Sequence, residues 1–286
     1  MKITLIQMSS QPDRAANLAQ ALRLMRDACA GEKPDLLVLP EHFDWTGGTP
    51  ADKRAAADFV PGGDAYEMVR QFARDAGVAI HAGSLLERRR DDPRVYNTSV
   101  VFDGSGSEIG SYRKIHLFDI TAPDGKRYAE SAVVAPGDSL LVYEIARFRV
   151  GCAICYDLRF SRLFDRLASL DLDLVILPAA FTEQTGRDHW EVLCRARAIE
   201  FQCFFVACGQ CGSYLAPDGE RRFMFGHSLV ADPWGRVLAM AGNEICVLEA
   251  ILDRSLVKHV REMIPMHAHR RDIKDMSILM AKTGDR

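Results

Sequence analysis

The chain has 286 residues, 48% of them hydrophobic, and 36 basic against 39 acidic side chains leave a net charge of -3. A chain this long can bury a large core as one α/β domain, and its balanced charge lacks the basic footprint of a nucleic-acid binder. No apolar run approaches the ~18 residues of a membrane helix, and eight cysteines are too sparse for a disulfide scaffold, so they are expected to be mostly buried, reduced thiols.

The opening "KITLIQM" reads as a first β-strand rather than a leader, because polar Gln7 interrupts it and no small-residue cleavage site follows. The expected location is therefore cytoplasmic. A helix over 14–30 has amphipathic spacing, and the strand "DLLVLP" comes next. A second helix over 64–76 leads to the strands "GVAIHAG" and "YNTSVVFD". After a long connection come "FRVGCAIC", a helix over 161–170, "LDLVILP", a helix over 187–200 and "CFFVACGQ". "HSLVADPWGRVLAMAG" reads as two strands turned at "DPWG", followed by "ICVLEAIL" and a helix over 254–263. Short apolar runs alternating with helical periods predict βα units around a mostly buried sheet, and no linker divides the chain.

"DLLVLPEHF" at 35–43 is nearly repeated by "DLVILPAAF" at 173–181. Both read as a buried strand ended by proline. Aligned, Glu41 stands opposite Ala179, so this architecture does not need a carboxylate at the strand end, and Glu41 has a claim to chemistry. The competing reading is a solvated charge in a loop.

Two C-x-x-C pairs, Cys152/Cys155 and Cys208/Cys211, raise the question of a four-thiolate zinc site. The gap between them is far longer than the ~15–20 residues of zinc ribbons. Positions three apart on strands also face opposite ways, which keeps such thiols from converging on one ion. Cys155 differs from Cys152 in ending its strand just before "YDLRFSRLF" begins a helix, where backbone N–H groups can meet a developing oxyanion. A thiol nucleophile needs a base to take its proton. None of the eight histidines stands out for this, although His42 and His116 adjoin the favoured residues, and a carboxylate such as Glu41 would serve.

"LVLPEHF", "SYRKIHLFD" and "GCAICYDLRF", in that order, resemble the signature of the carbon-nitrogen hydrolase (nitrilase) superfamily. The resemblance continues through "YNTSVVF", "TGRDHWEVLCRARAIEFQC", "GHSLVADPWG" and "IPMHAHRRD", which defines a hydrolase domain over 1–272. It implies an α/β fold arranged as a four-layer α-β-β-α sandwich and, in many members, a homodimer or higher homo-oligomer paired across the helices near the cysteine. It assigns Glu41 as general base, Lys114 as stabilising cation and Cys155 as nucleophile. Glu130, in "RYAESAVVAPGD", matches the family's second glutamate and would keep Lys114 charged.

"KIHLFD" and "CYDLRF" resemble the branch acting on ω-amides of dicarboxylates and on deaminated glutathione. The implied reaction hydrolyses a small carboxylate-bearing amide to acid and ammonia through a thioester, with no metal, cofactor, nucleic acid or membrane involved. Lys114 and the Tyr156 backbone N–H would hold the oxyanion. Phe181 either lines the acyl pocket or packs in the core, Thr182 faces the same site, and Asp157 and Arg159 brace the turn after the nucleophile. An N-carbamoyl amide hydrolase, a nitrilase and a non-catalytic binding protein of the same fold are the alternatives. The chain departs from the family pattern at 44–62, where the pocket mouth is shaped, and in the tail 273–286. That tail is expected either to be disordered or to pack Ile278, Leu279 and Met280 on a partner subunit.

Overall fold

The computed structural model describes residues 1–122, 125–271, 276, 277 and 279. The expectation for the tail 273–286 falls mostly outside these residues; Leu279, which is described, is exposed, whereas Ile278 and Met280 lie outside.

Two sheets form the centre. The first has seven strands, with Cys246–Ile251, Lys2–Gln7, Leu36–Val38, Ala79–His81, Val95–Phe102 and Leu85–Arg88 in spatial order and Glu108–Arg113 also paired to Val95–Phe102. The second has six, in the order Val237–Met240, Leu229–Ala231, Phe204–Gly209, Leu174–Ala179, Phe148–Cys152 and Val142–Ile145. Each sheet holds three parallel strands flanked by antiparallel ones.

Alternation along the strands builds the layers. In Lys2–Gln7, Ile3 and Leu5 join Leu36 and Val38 in a core shared with Val150, Cys152, Ile176 and Val206 of the opposite sheet. Ile6, with Leu37, Ile80 and Phe102, faces the other way, onto the helices Arg14–Ala28 and Asp64–Ala76. Both faces are therefore buried, so these strands are nearly continuous apolar runs. On the second sheet, Leu163, Phe164 and Leu167 of Ser161–Ala168 and Trp190, Cys194, Ala198 and Phe201 of Glu183–Phe201 supply the fourth layer. The four-layer α-β-β-α sandwich follows.

The expected helices are present, with shifted ends. The one expected at 187–200 starts at Glu183, because the strand Leu174–Ala179 turns directly into it through Thr182. The short helix Pro50–Ala56 escapes the periodicity, being held by a capping box in which Thr49 Oγ1 accepts from Asp52 N–H at 3.2 Å and Asp52 Oδ2 accepts from Thr49 N–H at 2.7 Å. "FRVGCAIC" is a strand only to Cys152, and Cys155 opens a 3₁₀ turn, Cys155–Arg159, instead of ending the strand. All eight cysteines are free thiols, six of them buried. Among the described residues, no helix is long and apolar enough to cross a membrane.

Candidate active site

Glu41 lies just beyond Leu36–Val38 and Cys155 just beyond Phe148–Cys152, at the carboxyl ends of parallel strands, where open α/β sheets bind ligands. Lys114 directly follows Glu108–Arg113, and Glu130 opens the 3₁₀ turn Glu130–Ala132. The connection holding Glu130 is built, not slack: Asp119–Thr121 and Arg127–Ala129 pair as a ribbon, and Phe118 N–H donates to Glu130 Oε2 at 2.6 Å.

The four groups converge. Lys114 Nζ donates to Glu41 Oε1 at 3.0 Å and to both Glu130 oxygens at 3.0 and 2.9 Å. Glu41 Oε1 also accepts from Asn97 Nδ2, and Oε2 from Ala180 N–H, each at 2.8 Å. Cys155 lines the same cavity as Glu41, Lys114 and Ala180, and its thiol feels the Glu41 and Lys114 charges.

Two backbone positions hold this arrangement under strain. Cys155 has φ +48° and His42 φ +57°, left-handed values unusual outside glycine, and such residues cluster where the surrounding fold over-determines them. Beside His42, the loop at 83–84 grips the strand end: Ser84 N–H donates to Pro40 O at 3.2 Å and Ser84 Oγ accepts from His42 N–H at 3.0 Å. This approach needs Gly83, at φ +44°, where a Cβ would stand 2.0 Å from Pro40 O.

Asp157 braces the nucleophile's turn. Its Oδ2 accepts from Ile154 N–H at 2.9 Å and Tyr112 O–H at 2.7 Å, and its Oδ1 accepts from His116 N–H at 3.0 Å and pairs with His116 Nδ1 at 2.7 Å. The His116 ring stacks on Phe160. Arg159 does not share this bracing; its guanidinium lies over the Tyr156 and Phe181 rings, 5.9 and 5.3 Å from their centroids.

Burial favours the neutral form of every group here, and neighbouring charges decide which groups resist. Burial pushes the Glu41 carboxyl up, but the Lys114 charge, then His42 and hydrogen bonds from the thiol and Lys114, hold it at about 2. Burial pulls Lys114 down, and the charges of Glu130 and Glu41 outweigh it, so the ammonium is held well above its ordinary value. Burial and then Glu41 drive the Cys155 thiol well above the usual range, against Lys114. The resting site therefore holds a carboxylate, an ammonium and a neutral thiol. Burial lowers His42, against the neighbouring Glu41 charge.

Glu41, His42 and Glu130 bring ligand atoms within 4.8 Å of one another. The cation among these carboxylates is Lys114 itself, and a metal ion would have to displace that buried ammonium.

A cavity of about 420 Å³ opens over the site. Tyr156, Phe181 and Thr182 all line it. The Phe181 ring also packs on Trp190 with centroids 4.9 Å apart. Thr182 Oγ1 bonds with Thr185 Oγ1 at 2.9 Å. Sequence reasoning missed Asn97 and Gln210. Gln210 Nε2 donates to Glu41 O at 3.0 Å and to Ser10 Oγ at 2.7 Å, tying the strand-end loop down. The available signal was a polar residue inside or ending an apolar run, "YNTSVVF" and "CFFVACGQ".

An α-β-β-α sandwich with a thiol, a carboxylate and an ammonium gathered at its strand ends defines a hydrolase of carbon–nitrogen bonds, of the amidase type. Residues 2–262 match the family model described as Carbon-nitrogen hydrolase. The chain belongs to that family. It is 36% identical over 275 residues to omega-amidase NIT2-B of Xenopus laevis, covering 95% of each chain. It is also 36% identical to the deaminated glutathione amidase of Bos taurus, covering 94% of this chain and 81% of that one. The fold superposes on the C. elegans NitFhit protein with a TM-score of 0.87 at 34% identity. That match takes in 94% of this chain, which spans 65% of the NitFhit chain.

Proposed function

We propose that the protein hydrolyses a small carboxylate-bearing amide, an ω-amide of a dicarboxylate or deaminated glutathione, with Cys155 as nucleophile, Glu41 as general base and acid, and Lys114 as oxyanion stabiliser. The convergence of thiol, carboxylate and ammonium on the floor of one cavity carries this reading, and the similarity to omega-amidase and deaminated glutathione amidase supplies the substrate class.

The resting ionisation dictates how the chemistry starts. A thiol pushed up beside a carboxylate held down does not transfer its proton spontaneously, so deprotonation is concerted with attack. As the sulfur bonds to the amide carbonyl carbon, Glu41 takes the thiol proton and charge moves onto the carbonyl oxygen. Lys114 Nζ and the Tyr156 N–H stabilise that oxygen; the first N–H groups of a helical turn have no acceptor within it. Glu41 then gives its proton to the leaving nitrogen, the C–N bond breaks, and ammonia departs from a thioester. Water, deprotonated by Glu41, attacks the thioester; the C–S bond breaks, the acid leaves, and the thiol regains its proton. Glu130 holds Lys114 in place and charged throughout.

A homodimer and a cytoplasmic location belong to the same proposal. Val192 and Ile199, exposed apolar residues on the helix Glu183–Phe201, and Trp234 and Leu238 on the nearby hairpin supply an apolar face for a second subunit. A thiol nucleophile works only while reduced, as a reducing compartment keeps it.

The test is ammonia release across an ω-amide of a dicarboxylate, deaminated glutathione and an N-carbamoyl amino acid, the last also followed for carbon dioxide. Release from one of the first two, lost by a factor on the order of 10⁵–10⁶ in Cys155→Ala, supports the reading. Activity surviving that substitution overturns it.

A further inference from the structure

Most charges lining the cavity are paired. Lys114 lies between Glu41 and Glu130, and Arg222 is bonded to Asp218 and Glu220. Among the described residues, Lys53 and Arg127 line the same cavity with no ion pair and no side-chain hydrogen bond. Arg127 is exposed at the rim, where water screens it.

Lys53 is half-buried in the wall, close enough to Glu130, Lys114 and Glu41 to feel their charges. The helix that carries it is anchored, because both its neighbours on Pro50–Ala56 are tied down. Asp52 closes the capping box with Thr49, and Arg54 donates to Pro93 O at 2.9 Å and Ala132 O at 3.3 Å.

An ammonium removed from bulk water without a bound anion is unfavourable, and the fold would be more stable with an apolar residue there. Burial does lower the Lys53 proton affinity. The charge on the cavity floor supplies a reason to keep it. Glu41 and Glu130 contribute two negative charges and Lys114 one positive, so the floor alone repels an anionic substrate, and Lys53 brings the sum to zero.

We infer that Lys53 is a specificity-determining residue that receives the free carboxylate of the substrate, so that the enzyme selects amides bearing a second, anionic end. This rests on the amidase reading above. A bound carboxylate would supply the counter-ion that the fold omits, and the amide end would be left to Cys155.

Two substrates of equal length test it: an ω-amide with a terminal carboxylate, and the same amide with a hydroxymethyl group in its place. The wild type should prefer the acid. Lys53→Met should lower the ratio of kcat/KM for acid over alcohol by about 10- to 100-fold, mainly through KM, as expected for losing a hydrogen bond to a charged group. Lys53→Arg should restore most of the ratio, and Arg127→Met should change it by no more than about threefold. Calorimetric binding of the matching dicarboxylate to Cys155→Ala protein should weaken by a similar factor when Lys53→Met is added. A ratio unmoved in Lys53→Met, or acid and alcohol declining together, overturns the assignment, the latter because Lys53 would then act only through the charges of Glu130 and Lys114. Wild-type turnover of the alcohol but not the acid removes carboxylate selection while amidase activity stands. Turnover of neither, indistinguishable from Cys155→Ala, overturns the amidase reading and this assignment with it.

Discussion

The two copies of the strand–proline repeat are alike at one end and different at the other. Each is the middle strand of a parallel triplet. At the start of each, an aspartate bonds to the neighbouring strand: Asp35 Oδ2 accepts from Lys2 N–H at 2.7 Å, and Asp173 Oδ2 from Arg149 N–H at 2.9 Å. At the far ends the copies face each other across the sandwich with complementary groups. The first offers the Glu41 carboxylate, and the second offers the bare N–H of Ala180, which donates to it at 2.8 Å. The strand–proline unit occurs twice, and the two far ends meet in a single contact. The carboxylate that the alignment sets apart in one copy takes the backbone of the other copy as its partner.

Making the first copy like the second should break the asymmetry most severely. Glu41→Ala should lower kcat/KM by about 10²–10⁴, the usual worth of a positioned acid–base group, measured by ammonia release. Glu41→Gln should lose a comparable factor while preserving shape, which separates proton transfer from packing.

Removing the cation between the carboxylates comes next. Lys114→Met should lower kcat by about 10²–10³, as for the loss of one oxyanion donor. Such a variant is also expected to be less stable than the wild type, because Lys114 is 2% exposed and its loss strands two carboxylates. Destabilisation of about 3–5 kcal/mol is expected in urea titration, with partial recovery on adding Glu130→Gln.

Asp44 sharpens the contrast at the first copy's far end. Both its carboxylate oxygens lack a hydrogen-bond partner, Arg14 approaches only to 3.6 Å, and burial pushes its carboxyl up to about 7. A carboxyl raised on folding binds its proton more tightly in the native state, so its stabilising contribution is complete below the unfolded value near 3.8 and is lost as pH rises through about 7. Asp44→Asn should therefore raise Tm at pH 8, and the gain should shrink steadily toward pH 4.

The matched ends should give the smallest effects. Asp173→Ala should cost about 1–2 kcal/mol, and Asp35→Ala less because it is exposed, with kcat unchanged in both. A loss of turnover from either substitution would contradict the division between scaffold ends and chemical ends.

Ten of the strands, five of the helices and the hairpin at "DPWG" were legible because burial on one or two faces leaves a period in the residues, whereas Leu85–Arg88, Glu108–Arg113, Val142–Ile145 and the pair Ser213–Leu215 and Arg221–Phe223 were not. The elements that shape the pocket were not. Pro50–Ala56 is too short for a period and depends on its capping box, and the ribbon Asp119–Thr121 with Arg127–Ala129 alternates weakly because both strands are largely exposed. Glu41 was legible by contrast with its repeat. Cys155 was legible in place but not in conformation, since a left-handed residue other than glycine carries no compositional mark.

What the sequence by itself determined is the alternation of strands and helices, the repeat and the candidacy of Glu41 and Cys155, because periodicity and residue type are local properties; the layer order and Lys114 came from the resemblance to a family. Only the tertiary structure decided their ionisation, the Ala180 contact and the unpaired Lys53. Proton affinity and charge balance are sums over neighbours, and these neighbours arrive from positions up to 139 residues apart.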